Sequence, residues 1–391
     1  MKGLGNDMKS EKCPLLFAQL FLLLVCILAM AWLWDRWMLE GPHGPYRWVG
    51  MDFAPFWVGV REMFHGADPY GPETTLKIQQ VVYGGPALGE DPMMFVYPAW
   101  LFLIIAPFSL LPYQWAAILY IGILLWAMLN FLYQLALTLG RKNFLAQSLW
   151  LVWILLGGLP FLVISVTKGQ LGYLSLLALF GAHSLWKKRP VMAGMILGLA
   201  LIKPTVTVIP VAIFLLWVLL EKNWKFLAGF AGLMAVLLSV SMLAVGNWFP
   251  GYFGMLGIKG GMSAFWSLEI LPTPWSILYA VLFIGLGAFS FYSSRKRKNT
   301  GWFSAAVLMG IALTPMRWMY DLFLGILVLT EKKEYSLSQT VAAAIAVLSP
   351  WVLIFFPEAD RWNAAVIGIP LIWALTWFVL FTNNEVNTLE S

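Results

Sequence analysis

Residues 49–70, VGMDFAPFWVGVREMFHGADPY, decide how the chain is read. They follow closely on an apolar run from Pro14 to Leu33, long enough to be a membrane helix of about 20 residues. From Phe53 the apolar side chains recur at helical spacing: Phe53, Phe56, Trp57, Val60, Met63 and Phe64. That pattern predicts one face of an amphipathic helix lying in the membrane interface, its aromatics dipping into lipid. Just ahead of it stands an acid, Asp52, held at the membrane surface.

The composition extends this reading to the whole chain. Of 391 residues, 61% are hydrophobic and 11% charged, which excludes a soluble domain. Backbone groups in lipid must be satisfied internally, so the spans are helices. The apolar runs are too long and unbroken for an outer-membrane barrel. The chain is read as an all-α polytopic membrane protein with a single transmembrane domain over 1–391. Both cysteines, Cys13 and Cys26, belong to the first apolar segment and imply neither a disulfide framework nor a metal site. The N-terminus has the look of a signal peptide. Its apolar run is too long for a signal core and lacks a small-residue cleavage site, so it is read as a retained span.

Charge sets the topology. The formal net charge is +6, and basic clusters recur at Lys2/Lys9/Lys12, Arg141-Lys142, Lys187-Lys188-Arg189, Lys222/Lys225, Arg295 to Lys298 and Lys332-Lys333. The positive-inside rule places all of them in the cytoplasm. The first span, 14–34, then runs outward, and residues 35–112 form an outer loop with Asp52 in it. A short apolar segment, Pro98 to Pro112, is broken by Pro107 and is expected to be interfacial or re-entrant. Further spans are expected at 113–139, 145–166, 170–186, 190–203, 205–220, 226–245, 275–292, 301–314, 319–330, 338–356 and 363–382. The total is about twelve spans, both termini inside. The pairs 190–203 with 205–220 and 301–314 with 319–330 are short, as beside a cavity or in helices that stop partway. No internal repeat is evident.

Candidate site residues gather at the outer-side helix breaks. A carboxylate there, Asp52, can take a proton from an acceptor hydroxyl within hydrogen-bond reach. The plainer reading of Asp52 is a helix N-cap, supported by Pro55 in the first turn. Lys203 interrupts the apolar run LGLALIKPTVTVIPV beside Pro204. An ionisable residue there usually has a partner, and a lipid phosphate suits a lysine; the alternative is snorkelling to the interface. Arg317, in LTPMRWMYDLF, can hold a phosphate with Asp321 or Tyr320 orienting it, or form an i,i+4 ion pair with Asp321. Lys168 and Gln170 make a polar break that also reads as a tight turn at Gly169. Asp68-Pro69-Tyr70 and Tyr97-Pro98 read chiefly as turn chemistry; Tyr70 and Tyr97 can line a sugar site, but composition favours an interfacial aromatic belt. Glu90-Asp91 makes a poor metal site, since adjacent acids point to opposite sides of the chain. His43, His65 and His183 show no ligand spacing. There is no nucleotide-phosphate loop, and nothing suggests a nucleic-acid partner.

These features resemble glycosyltransferase family 87, membrane enzymes of the GT-C fold that include polyprenol-phosphate-mannose-dependent mannosyltransferases. The resemblance is carried by Asp52 and Phe53 with Phe56 and Trp57, by Gly66 and Asp68-Pro69-Tyr70, and by Phe95-Val96-Tyr97-Pro98. Gly169-Gln170 before a leucine-rich span, the Gly194 to Lys203-Pro204 helix, and Thr314-Pro315 with Tyr320-Asp321 continue it. Ala99 departs from the pattern, in which a second proline commonly follows Tyr97-Pro98. The resemblance implies a polyprenyl-phosphate sugar donor, with mannose the expected sugar, and a glycan or glycolipid acceptor. It implies inverting transfer at the outer face of a prokaryotic plasma membrane, with Asp52 as general base. Lys203, Arg317 and Lys168 are expected at the donor phosphate. Gln170, Tyr70, Tyr97, Trp318, Tyr320 and Asp321 are expected around the substrates. No nucleotide or redox cofactor and no metal is expected. The alternative is a transporter or flippase of a lipid-linked solute; the one-sided polar breaks and the lack of an inverted repeat count against it.

Overall fold

The computed structural model describes residues 12–89, 91–140, 144–262, 270–297, 301–314, 319–332, 335–356 and 358–382. It is helical apart from one two-residue-stranded hairpin. Among the described residues five helices are long and apolar enough to cross a membrane: Leu16–Trp34, Tyr113–Leu139, Trp224–Val245, Thr273–Lys296 and Asn363–Phe381. Each of the other predicted spans falls on a shorter apolar helix of 10–17 residues. The chain divides into two compact units.

The first unit comprises residues 1–95, 101–130 and 165–170. Helix α1 (Lys12–Trp34) presents Leu16, Phe17, Leu20, Phe21 and Leu24 on its surface, as a lipid-facing helix does. A hairpin follows, β1 (Met38–Leu39) with β2 (Tyr46–Arg47), in the register Met38 opposite Arg47. Helix α2 (Ala54–Phe64) comes next, then α3 (Pro72–Tyr83), which ends on Gly84 at φ 77°. Residues 99–101 form a 3-10 turn leading into α4 (Phe102–Ser109). Eight residues rise only about 12 Å, well short of a hydrocarbon core of about 30 Å. This matches the predicted short segment around Pro107. Its carbonyls are tied to α2: Trp57 Nε1 donates to Leu111 O (3.1 Å) and Arg61 Nη1 to Ser109 O (3.3 Å). Helix α5 (Tyr113–Leu139) begins in this unit.

The packing of α2 corrects one expectation. Its aromatic face does not dip into lipid. Phe53, Phe56 and Val60 are fully buried in protein, and only Phe64 of the predicted face is well exposed. Phe53 stacks on Tyr120 at 4.7 Å between centroids and meets Phe108 edge-on at 6.4 Å. Burial of Val58, Gly59 and Glu62 on the other side makes α2 a core helix of this unit.

The second unit comprises residues 96–100, 131–164 and 171–391. It contains α6 (Phe144–Phe161), which continues as a wider π turn over Leu162–Val166. It then runs through α7 (Gly172–Leu185), α8 (Pro190–Ala200), α9 (Pro204–Leu220), α10 (Trp224–Val245) and α11 (Phe249–Met262). After α12 (Thr273–Arg297) and α13 (Trp302–Leu313) comes a 3-10 helix, Met319–Thr330. Helix α14 (Leu337–Leu348), a 3-10 turn and α15 (Glu358–Thr382) complete it. Small residues set a close crossing: Gly194 of α8 abuts the Phe226 carbonyl of α10, and Gly229 of α10 abuts the Val191 carbonyl of α8. Backbones approach this way in membrane bundles, where packing substitutes for the hydrophobic effect.

The start of α13 is capped from a distance. Gly301, at φ 126°, has no side chain to accept the orphan N–H groups of the first turn. The buried carboxylate of Glu331 accepts them instead, from Gly301 (3.2 Å) and Ser304 (2.7 Å), and also accepts the Ser304 hydroxyl. His183 Nε2 lies 3.6 Å from the same carboxylate, its ring stacked on Phe303 at 4.2 Å. Glu331→Ala is expected to cost about 1–3 kcal/mol by stranding these donors. Glu331→Gln, which keeps an acceptor oxygen, is expected to recover part of it. The check is the thermal unfolding midpoint of the purified protein.

Candidate active site

The acid is positioned by a short pairing of two chain segments in the first unit. Gly50 N–H donates to Thr167 O (2.8 Å), and Asp52 N–H donates to Lys168 O (3.0 Å). The Trp48 indole donates to the Thr167 hydroxyl (2.9 Å). Tyr113, at the start of α5, donates its hydroxyl to Gly50 O (2.8 Å). The same carbonyl takes the N–H groups of Phe53 and Ala54 (2.7 and 3.1 Å), and Pro55 has none to place. The N-cap position of α2 falls on Phe53, not Asp52. Backbone thus does the work that the capping reading assigned to the acid. The Asp52 side chain is buried, and its Oδ2 accepts from Gln170 Nε2 at 2.5 Å. An acid in hand with a buried amide donor is fixed in direction, as a general base must be.

Gln170 reaches the acid because the 165–170 segment turns tightly. Gly169 N–H donates to Val166 O (2.9 Å) and Gln170 N–H to Ser165 O (3.1 Å). Gly169 sits at φ 87°, and a Cβ there would meet Phe53 Cβ at 2.9 Å. The tight-turn reading and the functional one therefore hold together, since the turn aims Gln170. Gly169→Ala is expected to cost about 1–3 kcal/mol from backbone strain alone. It should also lower activity more than stability, because Phe53 and Asp52 are displaced together. Parallel measurement of unfolding midpoint and turnover checks this.

Lys168, half-buried in the same segment, places Nζ 4.1 Å from the centroid of the Trp48 ring. Trp48 in turn stacks on Trp37 at 5.2 Å and 13° between planes. This cation–π seat keeps the ammonium beside the acid-bearing segment.

A second polar centre lies in the second unit. Lys203 precedes α9 at the Ile202-Lys203-Pro204 break, and is buried. Its Nζ donates to Asp321 Oδ1 at 2.6 Å, with Asp321 almost wholly enclosed in the 3-10 helix. Thr207 Oγ1 donates to the carbonyls of Lys203 (2.9 Å) and Ala200 (2.8 Å), closing the break. Gly172 leaves room for the pair: a Cβ on it would lie 2.8 Å from Asp321 Oδ1. The snorkelling reading of Lys203 is excluded by its burial. Burying both ions is costly, and such pairs persist where charge is needed or geometry is excellent.

The model of glycosyltransferase family 87 matches residues 95–314, more than half of the 391-residue chain. The chain belongs to glycosyltransferase family 87. It is therefore a membrane glycosyltransferase, an enzyme that works on a sugar donor and an acceptor. No curated protein and no solved structure matches the chain. The matched residues of this family-87 glycosyltransferase include Tyr97, Lys168, Gln170 and Lys203; Asp52, Tyr70 and Asp321 lie outside them.

The other expected site residues of the glycosyltransferase have varied surroundings. Tyr70 is core: its ring packs on Phe95 at 5.3 Å, and its N–H donates to Asp68 Oδ1 (2.9 Å) in the turn read from the sequence. Tyr97 is half-buried ahead of the 3-10 turn at 99–101. Tyr320 lies in the 3-10 helix with Asp321. Arg317 and Trp318 fall outside the described residues. Among the described residues no group of three or more His, Cys, Asp or Glu side chains is arranged to hold a metal ion. The sequence reading had singled out Asp52, Gln170, Lys203 and Asp321 one by one. Sequence spacing offers Asp321 only Arg317, which falls outside the described residues, and offers Gln170 no partner. The two buried contacts each join residues 118 positions apart, beyond any local spacing rule.

Proposed function

We propose that this glycosyltransferase transfers a hexose from a polyprenyl-phosphate donor to an acceptor hydroxyl at the outer membrane face, with inversion. The resemblance to polyprenol-phosphate-mannose-dependent enzymes favours mannose. Asp52 takes the proton of the acceptor hydroxyl as its oxygen bonds to the anomeric carbon. The bond from that carbon to the phosphate oxygen breaks on the opposite side, and its electron pair leaves with the polyprenyl phosphate. Lys203, Lys168 and Arg317 supply the positive charge that meets the departing phosphate, with Asp321 holding Lys203 in place. Gln170 orients the base. Tyr97 belongs to the surroundings of the sugars, and Trp318 and Tyr320 to the segment beside Arg317.

The observation that carries this reading is the buried Asp52 carboxylate held by Gln170, in a chain of a glycosyltransferase family. A buried acid tied to a dedicated amide is unusual as structural filler, because desolvating it is costly. The test is turnover of polyprenyl-phosphate mannose, glucose and arabinose by the purified protein in lipid. Transfer or hydrolysis of one of them is expected. Equal binding of all three without chemistry would move the reading to a transporter.

A further inference from the structure

The first unit contains a cavity of about 230 Å³ that none of the roles above uses. It opens between the hairpin and the C-terminal end of α3, and its floor is made by Trp34, Met51 and Tyr113. We propose that it is a saccharide subsite that seats one pyranose ring of the acceptor; the acceptor role rests on the glycosyl-transfer reading.

Three observations point to a sugar. The walls are two aromatic pairs, Trp34 with Tyr113 at 5.7 Å and Tyr46 with Tyr83 at 5.1 Å between centroids, both edge-to-face. Tyr46 and Tyr113, the half-buried members of the two pairs, offer ring surface that suits the apolar C–H side of a pyranose. The rim is polar: Arg47, Gln80 and His43 line it and are exposed. Arg47 is held in place by Asp35, which accepts from its Nε (3.2 Å) and Nη2 (2.8 Å), with the guanidinium 5.5 Å from the Trp34 ring. Hydroxyls need such convergent donors and acceptors around an apolar bed. The volume is below the range of about 300–1,000 Å³ typical of drug-sized ligands, which fits a single ring and excludes a long chain.

Hydrogen bonds tie the segments that line the cavity together. His43 Nε2 lies 2.8 Å from Pro86 O, tying the hairpin tip to the stretch after α3. Met51, on the floor, is the residue before Asp52 in a segment pinned at Gly50 by Tyr113 and Thr167. One backbone segment therefore forms both the floor of the cavity and the mount of the base. A ring seated there lies against the residue next to Asp52 in the chain.

The test uses the full chain in phosphatidylcholine nanodiscs, with methyl α-mannopyranoside and methyl β-glucopyranoside as probes, read by saturation-transfer NMR. Neither probe requires turnover. Binding of at least one is expected in wild type and in Asp52→Asn. Val81→Trp, at an exposed lining position, is expected to weaken it about tenfold or more, one decade being a single good contact. Arg47→Gln, which leaves the core untouched, is expected to weaken it severalfold. No binding of either glycoside, or binding unchanged in both variants, overturns the subsite. Binding lost in Val81→Trp, with no polyprenyl-phosphate sugar turned over by the wild type, overturns the transfer reading and leaves the saccharide site standing.

Discussion

Asp52→Asn is expected to lower glycosyl transfer by about 10²–10⁴-fold, the usual contribution of a general base. The substitution keeps the shape of the side chain. Its amide oxygen can still accept from Gln170 Nε2, the contact that holds Asp52 at 2.5 Å. Folding and donor binding should therefore be unchanged, and the loss should appear in kcat. Gln170→Ala provides the comparison. It leaves the base present but unaimed, so it should cost less than Asp52→Asn and shift the pH profile of transfer, which a merely structural residue would not do. Radiolabelled transfer from polyprenyl-phosphate sugar, measured as kcat and KM separately, decides the matter. An Asp52→Asn protein that transfers at the wild-type rate would remove Asp52 from the chemistry.

Lys203→Met is expected to destabilise the protein by about 3–5 kcal/mol, because Asp321 is then buried without its partner. The double variant Lys203→Met/Asp321→Leu should recover most of that stability, since replacing both members of a buried pair with apolar groups is often neutral. Activity should not recover with it. If the ammonium stabilises the leaving phosphate, the double variant loses about 10²–10³ in rate while folding normally. The unfolding midpoint and the turnover of both variants separate the two roles. A double variant with wild-type turnover would reduce the 2.6 Å pair to scaffolding.

Much of this architecture is legible in the sequence, for physical reasons. Apolar runs in lipid have one solution, the helix, so their positions could be read directly. The break at Lys203-Pro204 was legible because proline suits the first turn of a helix; the segment around Pro107 was legible from its shortness, since Pro107 itself lies inside α4. The turn at Asp68 to Tyr70 and the one at Gly169 were legible from local chemistry. What could not be read was pairing. Helix spacing rules extend about four residues, which made Arg317 the evident neighbour of Asp321. Lys203, 118 residues earlier, is a partner that no such rule reaches, while Arg317 lies outside the described residues. Burial was misread at α2 for a related reason. Phe53 and Phe56 are equally at home in lipid and in protein, and periodicity alone does not say which apolar medium covers them. The cavity beside Met51 was invisible because it is assembled from α1, the hairpin, α3 and α5.

The first unit is completed by a six-residue contribution, residues 165–170, that arrives after a long excursion of the chain elsewhere. Translation runs from the N-terminus, so Asp52 is synthesised, and its surrounding helices inserted, well before Gln170 exists. During that interval the nascent enzyme carries the acid without the amide that aims it. A chain terminated between residues 140 and 164 would contain α1 to α5 and every residue that lines the cavity, yet lack Gln170. On the proposed role of Asp52, the aiming of the base is in this sense a late event of biosynthesis.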